Sequence, residues 1–126
     1  SKKIIDLAKK NNSLIVMENL EKPKKSRFRE SKRRKYALSL FAFKRLAAMI
    51  EYKAKREGLK VKYVPPEGTS YTCSHCGYVP VERPYPTNSF NYSRMHCPNQ
   101  KCNVELDADY NAAYNIAQQG LKMLNE

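Results

Sequence analysis

No stretch of this sequence approaches the roughly 20 consecutive apolar residues that a membrane span requires. Nor does the N-terminus, Ser-Lys-Lys followed by an amphipathic stretch, hold the apolar core of a secretory signal. These two absences point to a soluble, intracellular protein, with a cytoplasmic location expected. Tryptophan is absent, so the aromatic content rests on nine tyrosines and four phenylalanines. No internal repeat is present beyond two cysteine pairs. The chain starts at a serine, which fits a segment of something longer, and 126 residues allow one modest domain with a small core that benefits from a staple.

Acidic residues are scarce in the first half. Residues 1–62 hold 20 Lys+Arg against 6 Asp+Glu, whereas residues 63–126 hold 4 against 6. The densest block, "KPKKSRFRESKRRK", contributes Lys22, Lys24, Lys25, Arg27, Arg29, Lys32, Arg33, Arg34 and Lys35. Such a block repels itself unless a polyanion neutralises it, so nucleic-acid phosphates are the favoured partner over a merely solvated loop. A membrane surface is disfavoured, because little beyond Phe28 is available to insert.

Periodicity gives the layout. Ile4, Ile5, Leu7 and Ala8 suit a short helix stopping near Asn11-Asn12. Leu14–Met17 is a continuous apolar run that reads as a strand buried on both faces. Glu18 follows at its carboxyl end, where α/β sheets place ligand-binding groups. Tyr36, Leu40, Phe43, Ala47, Ile50 and Ala54 recur at three- and four-residue steps, predicting a helix over 35–57 that Gly58 ends. Val61–Val64 reads as a half-exposed strand stopped by Pro65-Pro66. The final helix, from about Ala108 to Leu124, is expected to bury Ala113, Ile116, Ala117, Gly120, Leu121 and Leu124.

The cysteines carry the strongest signal. Cys73-x2-Cys76, twenty intervening residues and Cys97-x4-Cys102 use every cysteine in the chain, with spacings that suit one closed, tetrahedral structural zinc. Two disulfides are disfavoured in an intracellular setting, and a thioredoxin-like redox pair leaves the second pair unexplained. His75 and His96 are read as exposed knuckle residues rather than ligands. Tyr71, Tyr78, Tyr85, Tyr92 and Phe90 suit either stacking on bases or packing around the metal. Asp107 suits the N-cap of the last helix and Asp109 its first turn.

Taken in order, "VMENL", a basic linker with a long helix, "VPPEGTSYTCSHCG", a second cysteine pair and "DADYNAAYNIA" resemble the C-terminal half of the TnpB (OrfB) proteins of insertion-sequence transposons. Those proteins are similar to the compact type V CRISPR effector nucleases. The resemblance runs from about Ser13 to the end. Its most specific pieces are Thr69-Ser70 leading into the first cysteine pair, and Asp109-x-Asn111-Ala112-Ala113 after the ribbon. It implies an α/β fold: a partial RuvC (ribonuclease H-like) nuclease core over 1–64 and 105–126, with a zinc ribbon inserted over 65–104.

It also implies a transposon-associated DNA endonuclease directed by a guide RNA, with DNA and that RNA as partners. Carried over by motif, Glu18 and Asp109 are two of three carboxylates that hold catalytic Mg²⁺ in the full-length protein. Clustered hard-oxygen ligands suit Mg²⁺ ions that activate water and stabilise the leaving oxygen, while thiolates keep zinc apart. Asn111 and Tyr110 are candidates to support that site. The block supplying the first aspartate is expected upstream of residue 1. Asp6, on an amphipathic helix, does not replace it, so the 126 residues alone are expected to cut poorly. An apolar strand with one available neighbour leaves an open edge, through which self-association or aggregation is expected. The competing reading is a non-catalytic nucleic-acid-binding module that keeps the ribbon and the basic surface.

Overall fold

The computed structural model describes residues 1–20, 30–80 and 93–125. These form two compact units, residues 1–65 and 66–126.

The first unit opens with α1 (Lys2–Lys10) and β1 (Ile15–Glu18), and continues through α2 (Glu30–Arg56) to β2 (Val61–Val64). β1 and β2 pair in parallel, Ile15 beside Val61 and Glu18 beside Val64. A parallel pair needs a crossover connection, and α2 supplies it. The Asn19 N–H donates to the Val64 carbonyl at 2.8 Å, which extends the ladder one residue past the carboxyl end of β1.

Both helix stops follow from local chemistry. At the end of α2, Gly58 takes φ +69°, while the Leu59 N–H reaches the Ala54 carbonyl and the Gly58 N–H that of Lys55. This is the paired-bond reversal that a left-handed residue permits. The same pattern closes α1, where Asn12 takes φ 48° and the Ser13 N–H donates to the Ala8 carbonyl. Asparagine tolerates that conformation better than most side chains.

The core of this unit is Ile5, Ala8, Ile15, Ile50 and Ala54, with Met17, Leu59 and Val61 packed against it. The expected inner face of α2 is present, with Leu40, Ala47, Ile50 and Ala54 buried. Tyr36, at its start, is exposed. The helix begins at Glu30, five residues ahead of the expected boundary, because the basic residues Lys32 to Lys35 carry no helix-breaking chemistry. β1 is less enclosed than expected. Ile15 is buried, but Val16 and Met17 are half-buried, and among the described residues β1 has one strand neighbour. The opposite side of α2 is also apolar, leaving Leu38, Phe41, Met49 and Tyr52 exposed. Among the described residues, no helix is long and apolar enough to cross a membrane.

The second unit contains the cysteine pairs, β3 (Arg94–His96), β4 (Glu105–Asp107) and α3 (Ala108–Leu124). β3 and β4 are antiparallel, with Met95 opposite Leu106. Cys73, Met95 and Cys97 are its buried centre, flanked by Cys102, Val104 and Leu106.

Here one expectation is corrected. α3 does not bury the stripe containing Ala113, Ala117, Leu121 and Leu124, all of which are exposed, and of that set only Gly120 is fully buried and Ile116 half-buried. Its inner face is Asn111, Ala112, Asn115, Ile116, Gln119 and Gly120, a stripe at helical spacing in which half the side chains are amides. Asn111 and Asn115 face polypeptide backbone of residues 69–74.

Candidate metal centre

Each cysteine pair sits on a turn that the backbone builds. In the first, the Gly77 N–H donates to the Cys73 carbonyl at 2.8 Å and the Cys73 N–H to the Tyr78 carbonyl at 3.0 Å, with Gly77 at φ +75°. In the second, the Cys102 and Asn103 N–H groups both donate to the Asn99 carbonyl, and Asn103 takes φ 47°. The left-handed residue after the last cysteine is therefore a glycine in one turn and an asparagine in the other. Glycine is the residue such a turn selects, whereas Asn103 adopts the same region with a side chain that tolerates it.

The turns bring all four sulfurs within 4.8 Å of one another. Cys73 and Cys102 lie 4.0 Å apart, Cys76 and Cys97 3.7 Å apart. A tetrahedral dication about 2.3 Å from each sulfur requires sulfur–sulfur separations of about 3.8 Å. The donor set therefore fits one thiolate-bound metal ion. The four thiols are free cysteines, at separations well beyond the roughly 2.05 Å of a disulfide. Among the described residues this quartet is the cluster of three or more His, Cys, Asp or Glu side chains able to hold a metal.

The quartet is electrostatically uneven. Burial pushes the Cys97 thiol up to about 12, while a backbone N–H from Tyr78 draws the exposed Cys76 down to about 7. Four thiolates side by side call for a cation, and metal binding displaces the remaining protons. Asn99 Nδ2 lies 3.8 Å from Cys76 Sγ and supplies a donor toward that sulfur. His75 is exposed with Nδ1 3.4 Å from Cys102 Sγ, and His96 is exposed on β3.

The carboxylates are placed by different elements. Glu18 ends β1 at the carboxyl edge of the parallel pair and is half-buried. Asp107 caps α3, its Oδ1 accepting the Tyr110 N–H at 2.9 Å, and Asp109 stands exposed in the first helical turn. Glu18 belongs to the first compact unit, whereas Asp107, Asp109 and the thiols belong to the second.

Of the basic block, Lys22, Lys24, Lys25, Arg27 and Arg29 lie outside the described residues. Lys32, Arg33, Arg34 and Lys35 fall on the first turns of α2, with Arg34 and Lys35 exposed. Tyr85, Phe90 and Tyr92 also lie outside the described residues. Tyr78 is exposed and Tyr71 half-buried. On the outer side of α3, Tyr110 and Tyr114 have ring centroids 6.4 Å apart.

The residues that sequence reasoning underweighted are Asn111 and Asn115. Asn111 is 0% exposed. Its Oδ1 accepts the Ser74 N–H at 2.8 Å, and its Nδ2 donates to the Thr72 carbonyl at 2.9 Å and the Ser70 carbonyl at 3.5 Å. Asn115 Nδ2 donates to the Thr69 and Thr72 carbonyls at 2.9 and 2.7 Å. The two most specific sequence pieces, Thr69-Ser70 with the first cysteine pair and Asp109-x-Asn111, are thus bonded to each other.

Residues 43–116 match the family model described as "Cas12f1-like, TNB domain". The chain is 37% identical to the CRISPR-associated endodeoxyribonuclease Cas12f2 of a Micrarchaeota archaeon, over 96% of this chain and 22% of that protein. It is 34% identical to the TnpB-like protein MJ0751 of Methanocaldococcus jannaschii, over 92% of this chain and 38% of that protein. Among solved structures, a cryo-EM structure of a Cas12f1-sgRNA-target DNA complex matches with a TM-score of 0.65 and 30% identity, covering 94% of this chain and 32% of the other. The chain therefore spans about a fifth to two fifths of the length of these relatives. With a model match across more than half of its residues and relatives of both kinds along nearly its whole length, the chain belongs to the Cas12f1-like TNB domain family, within the TnpB and compact type V effector proteins.

Proposed function

We propose that these 126 residues are the C-terminal part of an RNA-guided DNA endonuclease associated with a mobile element. The carrying observation is the 37% identity to an endodeoxyribonuclease across 96% of the chain. In this reading residues 1–64 and 105–126 contribute to a RuvC-type core, and residues 65–104 are a zinc ribbon. Cys73, Cys76, Cys97 and Cys102 hold one structural Zn²⁺, a closed site whose contribution is to folding. Glu18 and Asp109 hold Mg²⁺ together with carboxylates of the longer protein, and the metal would activate water and stabilise the leaving oxygen. Glu18 suits the role through its place at the carboxyl edge of a parallel strand pair. Asp109 suits it because the Asp107 cap fixes the turn that carries it. DNA and guide RNA are the partners, and the cytoplasm is the working compartment.

The basic block fits this reading for an electrostatic reason. Lys32 to Lys35 fall in the first turns of α2, where the helix dipole already favours negative charge. Phosphates placed there offset like charge. Binding of the 126-residue chain to a DNA or RNA duplex is expected to be steeply salt-dependent, losing on the order of 10³-fold in affinity between about 50 and 200 mM salt if six or more phosphates are contacted. A fluorescence-anisotropy titration at several salt concentrations measures this, and an affinity insensitive to salt rules the assignment out.

Self-association through the β1–β2 edge belongs to the same proposal, supported by one neighbour per strand among the described residues and by the apolar outer stripe of α2. Sedimentation velocity should show concentration-dependent species. A monomer at every concentration tested would remove this element.

The alternative is a nucleic-acid-binding module that keeps the ribbon and the basic surface without cutting chemistry. Mg²⁺-dependent nicking by the longest native chain, lost in Glu18→Gln and in Asp109→Asn, separates the two readings.

A further inference from the structure

Five hydrogen bonds from two asparagines fasten the Thr69–Ser74 segment to one face of α3. The contact at its inner end is the Ser74 N–H, the amide next after the ligand Cys73. At the other side of the same helical turn, two residues before Asn111, stands Asp109. We propose that Asn111, assisted by Asn115, is a positioning residue that couples metal occupancy of the thiol quartet to the order of the first turn of α3, and thereby holds Asp109 in place. The last step rests on the catalytic reading of Asp109; the coupling does not.

The physical chain has few links. A metal that fixes Cys73 Sγ fixes the turn around it, and with that turn the Ser74 amide. Asn111 accepts from this amide while donating to the Thr72 and Ser70 carbonyls, so its position on α3 is set from both sides of one peptide segment. Buried and fully bonded, the side chain cannot slide without orphaning polar groups. An amide is required at this position. An aspartate keeps the acceptor but loses both donations and turns a negative charge toward two carbonyls, and a leucine fills the volume while satisfying nothing. Linkage makes the effect reciprocal: whatever the metal adds to the order of α3, an ordered α3 returns as metal affinity.

The test uses Co²⁺ as the probe, because thiolate-to-cobalt absorption reports the ligand set directly. The 126-residue chain is titrated with Co²⁺, and amide hydrogen exchange of residues 108–116 is followed with and without the ion. In the unmodified chain, Co²⁺ is expected to slow exchange in the first turn of α3. In Asn111→Ala the four-thiolate spectrum is expected to persist with an affinity about 10- to 100-fold weaker, the range typical of partners that orient metal ligands, and with the slowing of exchange abolished. Asn115→Ala, which loses two of the five bonds, should fall between. An Asn111→Ala variant that binds Co²⁺ with unchanged affinity, or whose α3 responds to the ion as the unmodified chain does, overturns the proposal. Should Asn111→Ala fail to fold with metal, the milder Asn115→Ala decides, and an unchanged affinity with an unchanged exchange response there overturns it as well. Nicking that survives Asp109→Asn would remove the catalytic reading while leaving the coupling measurement intact, so the two failures are distinguishable.

Discussion

Stripping metal from the cysteine quartet is expected to abolish the tertiary structure of residues 66–126. The magnitudes decide this. The buried centre of that unit is Cys73, Met95 and Cys97, flanked by Cys102, Val104 and Leu106, so half of the cluster consists of the proposed ligands themselves. Burying an aliphatic or methionine side chain stabilises by about 1.5–3 kcal/mol, which the three remaining apolar residues provide only a few times over. Structural Zn²⁺ in small domains contributes an apparent 10–16 kcal/mol or so at neutral pH, more than those three side chains together.

Cys97→Ser should have the same consequence as chelation, because it removes a ligand and leaves a hydroxyl at a site only 1% exposed. Metal analysis should find about one Zn per chain. The measurement that bears on folding is amide dispersion in NMR, following Cys73, Met95 and Cys97 before and after a chelator. Dispersed resonances that persist without metal would show that the apolar cluster suffices and the metal is incidental.

The sequence revealed most where apolar residues meet an apolar surface. Leu40, Ala47, Ile50 and Ala54 were readable because the α2 positions facing the core differ from their neighbours in hydrophobicity at the helical period. The stop at Gly58 was readable because a left-handed position selects glycine. α3 defeated the same reasoning. Its partner is a turn whose carbonyls at Thr69, Ser70 and Thr72 accept from the helix, so amides at 111 and 115 face inward, while Ala113, Ala117, Leu121 and Leu124 face out. A method that counts apolar residues at helical spacing selects the wrong side of such a helix. The available signal was chemical: two asparagines four residues apart, in a segment otherwise rich in helix formers, are unfavourable unless their side chains are used. Strands β3 and β4, three residues each, were too short for alternation to register. The thiol quartet was legible for the opposite reason, since ligand spacing is local and does not depend on what surrounds it.

Replacing Asp109 with asparagine is expected to abolish nicking while leaving folding nearly untouched, and the neighbouring Asp107 supplies the control. Asp107 Oδ1 accepts the Tyr110 N–H, and an asparagine carbonyl serves as an N-cap about as well as a carboxylate. Asp107→Asn should therefore change stability by only a few tenths of a kcal/mol, the part owed to charge at the helix dipole, and should leave nicking close to normal. Asp109 is exposed in the first turn, so its amide variant should fold equally well. On the proposed reading, the amide variant removes a carboxylate that holds the catalytic metal, and with it the metal's activation of water and stabilisation of the leaving oxygen. Glu18→Gln should match it, because both carboxylates are assigned to the same metal chemistry. The assay is Mg²⁺-dependent nicking of guide-matched DNA by the longest native chain, with thermal unfolding of each variant measured in parallel. If Asp107→Asn and Asp109→Asn were to lose activity equally, the effect would belong to the helix terminus as a whole. If both retained it, the carboxylates of this turn would have no part in cutting, and the assignment of Asp109 to the catalytic metal would fall.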